Sequence, residues 1–431
     1  MERKIKKHLT AWKESAYRKP LVLQGARLVG KTYSLMAFGR EHYENVAYFN
    51  FETDTTLNKT FDENIEPSFL IPLLSRISGQ TIVTEKTLII FDEVQLCGRA
   101  LTSLKYFCES APDYHIIAAG SLLGVAVSRR TFSFPVGKVD VLTMYPMDME
   151  EFLLAGGEGA LVGQIRACFE TNTPLPTTLH EAALSLYRQY LVVGGMPECV
   201  EKYFATKDFV LIRHTQASIL NSYLNDISKY NKENEIKKTR LVYDKITVQL
   251  SKKNTRFQYK MIKSGARAAE FENAIEWLCL SGIVTRIQRL DHPKKPLENY
   301  RDIDSFKIYV SDVGLLCAKS NVIVGDILYQ SADLNDFKGG MAENYVCGQL
   351  TANGHPCYYW TSERGAEVDF IIQWDGRIVP IEVKSSENTK AKSLNVYIST
   401  YKPSLSIKIS TKNFALEDGK KTVPLYAVFC L

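Results

Sequence analysis

Eight residues, Gly25-Ala-Arg-Leu-Val-Gly-Lys-Thr32, place the tightest constraint on what this 431-residue chain can fold into. They follow the apolar run Pro20-Leu-Val-Leu-Gln24 and open a helix-length amphipathic segment, Lys31 to Tyr43. Glycines at both ends let the backbone curl until successive N–H groups converge on phosphate oxygens. In that arrangement Lys31 reaches the β- and γ-phosphates of a nucleotide, and the Thr32 hydroxyl coordinates Mg²⁺. The helix that begins there turns the positive end of its dipole toward the same anion. Gly25, Ala26, Arg27, Leu28, Val29, Gly30, Lys31 and Thr32 are therefore expected to cradle the phosphates of ATP. The alternative is an incidental glycine-rich turn, and the strand before and helix after argue against it.

The segments around the loop extend the pattern. Val46-Ala-Tyr-Phe-Asn-Phe51, Thr87-Leu-Ile-Ile-Phe91 and His115-Ile-Ile-Ala-Ala119 are short, uninterrupted apolar runs. Helix-length stretches such as Ala100 to Ser110 separate them. Continuous apolar strands alternating with helices predict a parallel sheet covered on both faces.

Leu88-Ile-Ile-Phe-Asp-Glu93 ends in two acids. In a parallel sheet these emerge at the carboxyl edge, where the phosphate loop also lies. There Asp92 is expected to hold the Mg²⁺ through water, and Glu93 to orient and polarise the attacking water. Ser121, after the His115 strand, is either a hydrogen-bonding partner of the γ-phosphate or that water, or a helix N-cap.

At these positions the sequence resembles a bacterial AAA-type P-loop ATPase family. The resemblance rests on the loop, on Tyr48-Phe-Asn-Phe-Glu52, on Phe91-Asp-Glu-Val-Gln95 and on Gly120-Ser121. It continues through Phe134-Pro-Val-Gly-Lys138, Tyr145-Pro-Met-Asp-Met-Glu-Glu-Phe152, Gly194-Gly-Met-Pro197 and Phe306-Lys-Ile-Tyr-Val-Ser-Asp-Val-Gly-Leu315, and so spans most of the chain. Two positions depart from the pattern: Leu28 stands where Gln is expected, and Lys138 where many members have Arg. If Lys138 senses phosphate, the bidentate guanidinium fork is lost. The resemblance also implies an arginine supplied by a neighbouring subunit or domain, which a homo-oligomer would provide. Arg99, Arg129 and Arg130 are the candidates.

From about Gly156 long helical periods dominate, at His180 to Val192, Phe209 to Lys229 and Ala268 to Leu280. Two strand-like runs come next, Ile283 to Leu290 and Phe306 to Val310, and this succession suggests a winged-helix-like module. Charge concentrates in the same region. Residues 229–267 hold twelve Lys and Arg against three acids, a local charge of +9 in a chain whose net charge is +5. A basic segment on a near-neutral body is the footprint of a DNA contact, or else a solvated helical face.

The family's C-terminal half resembles a PD-(D/E)XK nuclease core. Such a core holds Mg²⁺ with two or three carboxylates and positions water with a lysine. Asp369, Glu382 and Lys384 fall on two strands flanking the turn signal Trp374-Asp-Gly, and alternation puts Glu382 and Lys384 on one face. Glu343, on a preceding helix-length segment, would complete the set. The tripeptide [DE]-x-K recurs at Glu2, Glu235, Asp336 and Asp418, so it means little without that hairpin, and ordinary acids on an edge hairpin are the other reading.

No apolar run reaches the ~18 residues a membrane helix needs. Nine cysteines without a C-x-x-C pair point to a reducing, cytoplasmic setting. The expected organisation is α/β: a P-loop NTPase parallel sheet with flanking helices over 1–155, a helical winged-helix-like domain over 156–325, and a small restriction-endonuclease-like α/β domain over 326–431. The function expected first is a Mg-dependent ATPase acting as a switch or motor coupled to DNA. An ATP-gated DNA nuclease and a non-hydrolysing adaptor are the alternatives.

Overall fold

The computed structural model describes all residues except 55, 129–133, 232, 251–255, 330, 332–334 and 387–391. The chain divides into two compact units. One comprises Glu2–Tyr145 with Leu280–Gly282, and the other Pro146–Cys279 with Ile283–Leu431.

The first unit is built on five parallel strands: β1 (Leu21–Gln24), β2 (Asn45–Asn50), β3 (Thr87–Asp92), β4 (His115–Gly120) and β5 (Asp140–Thr143). Their spatial order is β2-β3-β4-β1-β5. Every residue of β3 and β4 is buried, as their unbroken apolar sequences require of strands covered on both faces. Phe51, Phe61 and Phe91 meet mostly edge-on, with ring centroids 5.5–5.9 Å apart. β4 lies between β1 and β3. The loop after β1, Ser121 after β4 and the acids at the end of β3 therefore succeed one another along the carboxyl edge.

The second unit begins with helices, among them Met149–Ala155, Thr177–Val193, Phe209–Tyr230 and Glu233–Leu250. Met149–Ala155 starts with a capping box, in which Asp148 and Glu151 each accept the other's backbone N–H. A mixed sheet of eight strands completes the unit: β6 (Val284–Leu290), β7 (Arg301–Val310), β8 (Tyr358–Thr361), β9 (Glu367–Trp374), β10 (Arg377–Val383), β11 (Ser406–Ser410), β12 (Ala415–Glu417) and β13 (Lys420–Pro424). Its order is β12-β13-β11-β10-β9-β8-β6-β7. Asp375 and Gly376 both have positive φ, 47° and 70°, and close the β9–β10 hairpin as the Asp-Gly signal predicts.

The β6–β7 pair, read from sequence as a wing, lies instead at one edge of this sheet. β6 runs parallel to β8, pairing Gln288 with Tyr358 and Leu290 with Trp360. The reason is burial. Tyr359 is fully buried and Trp360 nearly so, and a buried aromatic strand needs a neighbour on each side. No helix among the described residues is long and apolar enough to cross a membrane. All nine cysteines are free thiols.

Candidate nucleotide site

Gly25 and Gly30 carry the loop through conformations that side chains resist, with φ of 149° and 94°. A Cβ on Gly25 would also collide with the Met144 carbonyl oxygen. Gly30 caps the helix Lys31–His42 with no side chain over its end, which leaves the first N–H groups open to an anion. Leu28 turns outward, 44% exposed, so the departure from Gln leaves the inner face of the loop untouched.

Lys31 is buried. Its Nζ donates to the carbonyl oxygens of Gly25 (2.9 Å) and Ala26 (2.8 Å). Burial pulls its pKa down to about 8, Arg27 adds to the fall, and the charges of Glu93 and Asp92 oppose it. This is a cation kept dry and held by carbonyls, ready to exchange them for phosphate oxygens.

Asp92 organises the opposite wall. Its Oδ2 accepts from the Thr32 hydroxyl (2.7 Å) and from the Tyr48 hydroxyl (2.8 Å), and its Oδ1 accepts from the Glu93 N–H (3.0 Å). Thr32 and Asp92 thus converge, as a shared Mg²⁺ would require, and both are oxygen donors of the kind that ion selects. The residues fit the metal that the loop implies. Glu93 is in the left-handed region, φ 51°, a conformation worth roughly 1–3 kcal/mol of strain in a residue with a side chain. Its Oε2 accepts from the Gln95 side-chain amide (2.5 Å) and from the Ser121 hydroxyl (3.3 Å). Lys31, Thr32, Asp92, Glu93 and Ser121 are therefore brought to one edge of one sheet. The Ser121 hydroxyl is thus directed to the Glu93 carboxylate, a contact that neither reading from the sequence named.

Reading the sequence alone misses Tyr48 and Gln95. Strand alternation was the available signal for Tyr48, since it puts Tyr48 and Asn50 on one face and Asn50 pairs in register with Asp92. Asn50 donates in turn to the Tyr48 hydroxyl (3.1 Å). Because Tyr48 pins the carboxylate that faces Thr32, Tyr48→Phe is expected to raise the Mg²⁺ concentration needed for half-maximal ATPase activity about tenfold. Its maximal rate at saturating Mg²⁺ should change much less, and a Mg²⁺ titration of phosphate release reads both.

Lys138 is not at this edge. It precedes β5, at the amino end of the parallel strands, and pairs with Glu109 on the surface at 2.9 Å. A role in sensing phosphate is corrected by this placement. Arg99 donates to the Phe61 carbonyl oxygen (2.6 Å). Arg129 and Arg130 lie outside the described residues. Burial pushes the Cys97 thiol up, away from reactivity.

Residues 17–153 match the model of the AAA domain. This segment is an AAA-type P-loop domain. That assignment implies nucleotide binding, typically with Mg²⁺. Residues 184–323 and 338–428 each match a domain of unknown function, DUF8612 and DUF4143. No curated protein matches the chain. Among solved structures, the Walker-type ATPase of Pyrococcus abyssi is 14% identical over 74% of this chain and 95% of that one, with a TM-score of 0.46. RuvB of Thermotoga maritima is 14% identical over 65% and 88%, with a TM-score of 0.31. The ORC2 protein of Aeropyrum pernix is 10% identical over 76% and 92%, with a TM-score of 0.31. At such low identities and scores, nothing about this chain's chemistry rests on these three.

In the second unit, the acids expected of a nuclease core are close together and partly engaged by other groups. Asp369 accepts from the Val383 N–H (2.7 Å), and Glu382 pairs with Lys384 (2.6 Å). Lys307, with a fully buried side chain, pairs with Glu367 at 2.6 Å and Glu343 at 3.5 Å. The Tyr309 hydroxyl also donates to Glu343 (3.0 Å). Burial pushes the Asp369 carboxyl well above its ordinary value, and Glu343 and Glu382 add to the rise. Among the described residues no three His, Cys, Asp or Glu side chains are grouped to hold a metal ion. The Lys384 ammonium and the Val383 N–H each take one oxygen of Glu382 and Asp369, while Glu382 Oε2 is buried without a hydrogen-bond partner among the described residues.

The basic segment is spread over the helix Glu233–Leu250 and the chain on either side of it. Lys229, Lys237, Arg240, Arg256, Lys260, Lys263 and Arg267 are exposed, while Lys238 and Lys245 are half-buried. Lys232, Lys252 and Lys253 lie outside the described residues.

Proposed function

We propose that the chain is a Mg²⁺-dependent ATPase that works as a switch on DNA. The convergence of Thr32 and Asp92, with Glu93 held beside them by Ser121 and Gln95, is the observation that carries this reading. The loop N–H groups and Lys31 take the phosphate oxygens of ATP. Thr32 and Asp92 would hold Mg²⁺, which neutralises charge on the phosphate tail. Glu93 orients a water molecule, whose oxygen forms the new bond to the γ-phosphorus as the bond to the bridging oxygen breaks. The water proton passes to the Glu93 carboxylate, and ADP and phosphate leave. Ser121 fixes where the Glu93 carboxylate points.

Two features support a switch. Leu280–Gly282 belongs to the same compact unit as the loop, and the chain runs on from it into β6. A Cβ on Gly282 would lie 3.0 Å from the Ala26 backbone nitrogen, so the backbone there passes close to the cradle. A loop that changes shape around ATP would move that connection. The exposed cations of residues 229–267 support DNA as what the switch acts on. Cleavage is not part of the proposal, because Lys307 pairs with Glu343 and Glu367 and Lys384 with Glu382, and no group of three metal-ligating side chains is assembled among the described residues.

An ATPase assay with and without single-stranded, duplex and branched DNA, and then electrophoresis of the DNA, tests the reading. We expect phosphate release to be stimulated by at least one DNA structure and the DNA to stay intact. The triple charge reversal Lys237→Glu, Lys263→Glu, Arg267→Glu is expected to abolish stimulation and to flatten the salt dependence of DNA binding by about three logarithmic units per decade of salt. Equal rates with and without every DNA would remove DNA from the account. Cleavage that requires Mg²⁺ and disappears in Asp369→Ala would replace it with the nuclease reading.

A further inference from the structure

A cleft in the second unit has no part in the nucleotide chemistry, and its lining is of a different kind. It opens where two parallel neighbours, β10 and β11, end, with Ser385 just beyond β10 and Thr411 just beyond β11. The helix Thr177–Val193 contributes Arg188, and the helix Asn335–Ala352 contributes Lys338. Leu184, Leu191, Ile327 and Met341 form an apolar wall. The free space, mouth included, is about 440 Å³. The crevice beyond the carboxyl ends of parallel strands is the usual place for ligands in open α/β sheets.

The charge of the cleft is what calls for a ligand. Two cations and no carboxylate line it among the described residues. Among the described residues Arg188 makes no hydrogen bond or ion pair, although burial lowers its pKa. Burial also lowers that of Lys338, against the charge of nearby Asp326, and its Nζ donates to the Ser331 carbonyl oxygen (2.6 Å). Two partly desolvated cations lining one cleft cost stability that a bound anion would offset.

We propose that this cleft binds a phosphomonoester carried on an apolar or aromatic body. A dianionic phosphate matches two cations, whereas a single carboxylate would leave one unmatched. The guanidinium fork suits two phosphate oxygens at once, and the Ser385 and Thr411 hydroxyls supply further donors. The apolar wall takes the organic body. The chemistry is shared by a small organic phosphate and by the 5′-phosphate end of a nucleic acid.

Calorimetry of the full chain with phenyl phosphate, in the presence of saturating Mg-ADP, tests the proposal. Binding is expected, and neither phenol nor benzoate should match it. Arg188→Gln should weaken it about tenfold or more, while leaving the melting temperature of the ligand-free protein equal or higher, because a partly desolvated charge without a partner among the described residues has been removed. Leu184→Trp, which fills the cleft and leaves both cations in place, should weaken binding as well. The comparison among variants is independent of what occupies the phosphate loop, so failure here and failure of the ATPase reading are separable. Competition by a 5′-phosphorylated but not a 5′-hydroxyl oligonucleotide would assign the cleft to a nucleic-acid end. Competition by a nucleoside 5′-monophosphate alone would assign it to a small molecule. No heat with phenyl phosphate at millimolar concentration, or equal affinity in wild type and Arg188→Gln with both proteins folded, would overturn the proposal.

Discussion

Lys31→Ala is expected to lose ATP binding by about a hundredfold or more, measured by calorimetric titration in the presence of Mg²⁺. The size of the effect comes from where the ammonium sits. It is buried and bonded to the Gly25 and Ala26 carbonyl oxygens, so it needs no large rearrangement to meet an anion in the loop. The depressed pKa adds a second observable. At about 8, Lys31 is partly neutral in mildly alkaline solution, and a polyphosphate beside it favours the charged form. ATP binding should therefore take up little proton at neutral pH and a growing fraction of one as the pH rises through 8. Affinity should weaken over the same range. Titrations in buffers of different ionisation enthalpy measure the uptake, and the Lys31→Ala protein should show none from this source. The stability of the nucleotide-free protein responds in the opposite sense. The folded pKa lies below the unfolded value of 10.5, so the unfolded chain binds more protons between about 8 and 10.5. The contribution of Lys31 to stability thus improves as pH rises across that window.

Glu93→Gln is expected to keep nucleotide affinity within a few-fold of wild type and to slow phosphate release about a hundredfold or more. Glutamine keeps the shape and can still accept from Gln95 and Ser121, but it cannot take a proton from water. The left-handed backbone at Glu93 and the two donors on its carboxylate aim this side chain away from ordinary strand geometry. Affinity and turnover must be measured on the same preparation, because a fall in both would indicate a damaged loop. Wild-type turnover in Glu93→Gln would remove Glu93 from its assigned role.

Much of the nucleotide site was legible because its parts are local. Glycine spacing, the apolar strand before it and the acids closing Leu88-Ile-Ile-Phe91 are each set by a few neighbouring residues. The β9–β10 turn was legible for the same reason, since Asp375-Gly376 dictates its own backbone. Other features depend on pairing across long stretches of chain. Nothing in the sequence places β4 between β1 and β3, yet that order brings Ser121 to Glu93. β6 pairs with β8 across the long stretch between residues 290 and 358, a partnership that local sequence does not encode, so the β6–β7 pair reads as a wing when it is a sheet edge. Lys307 shows the same limit. It lies in an apolar run, Phe306 to Val310, where its burial depends on Glu367 and Glu343 arriving from distant strands and helices. Lys138 was drawn to the phosphate by analogy, and strand direction takes it to the opposite edge.

Time-resolved phosphate release from Mg-ATP by the full-length wild-type chain tests the central claim most directly. The account predicts continuous release that stops on chelation of Mg²⁺, is absent in Lys31→Ala and is slowed about a hundredfold in Glu93→Gln. ATP that binds with Mg²⁺ yet yields no phosphate above the uncatalysed background, with DNA present or absent, would contradict it.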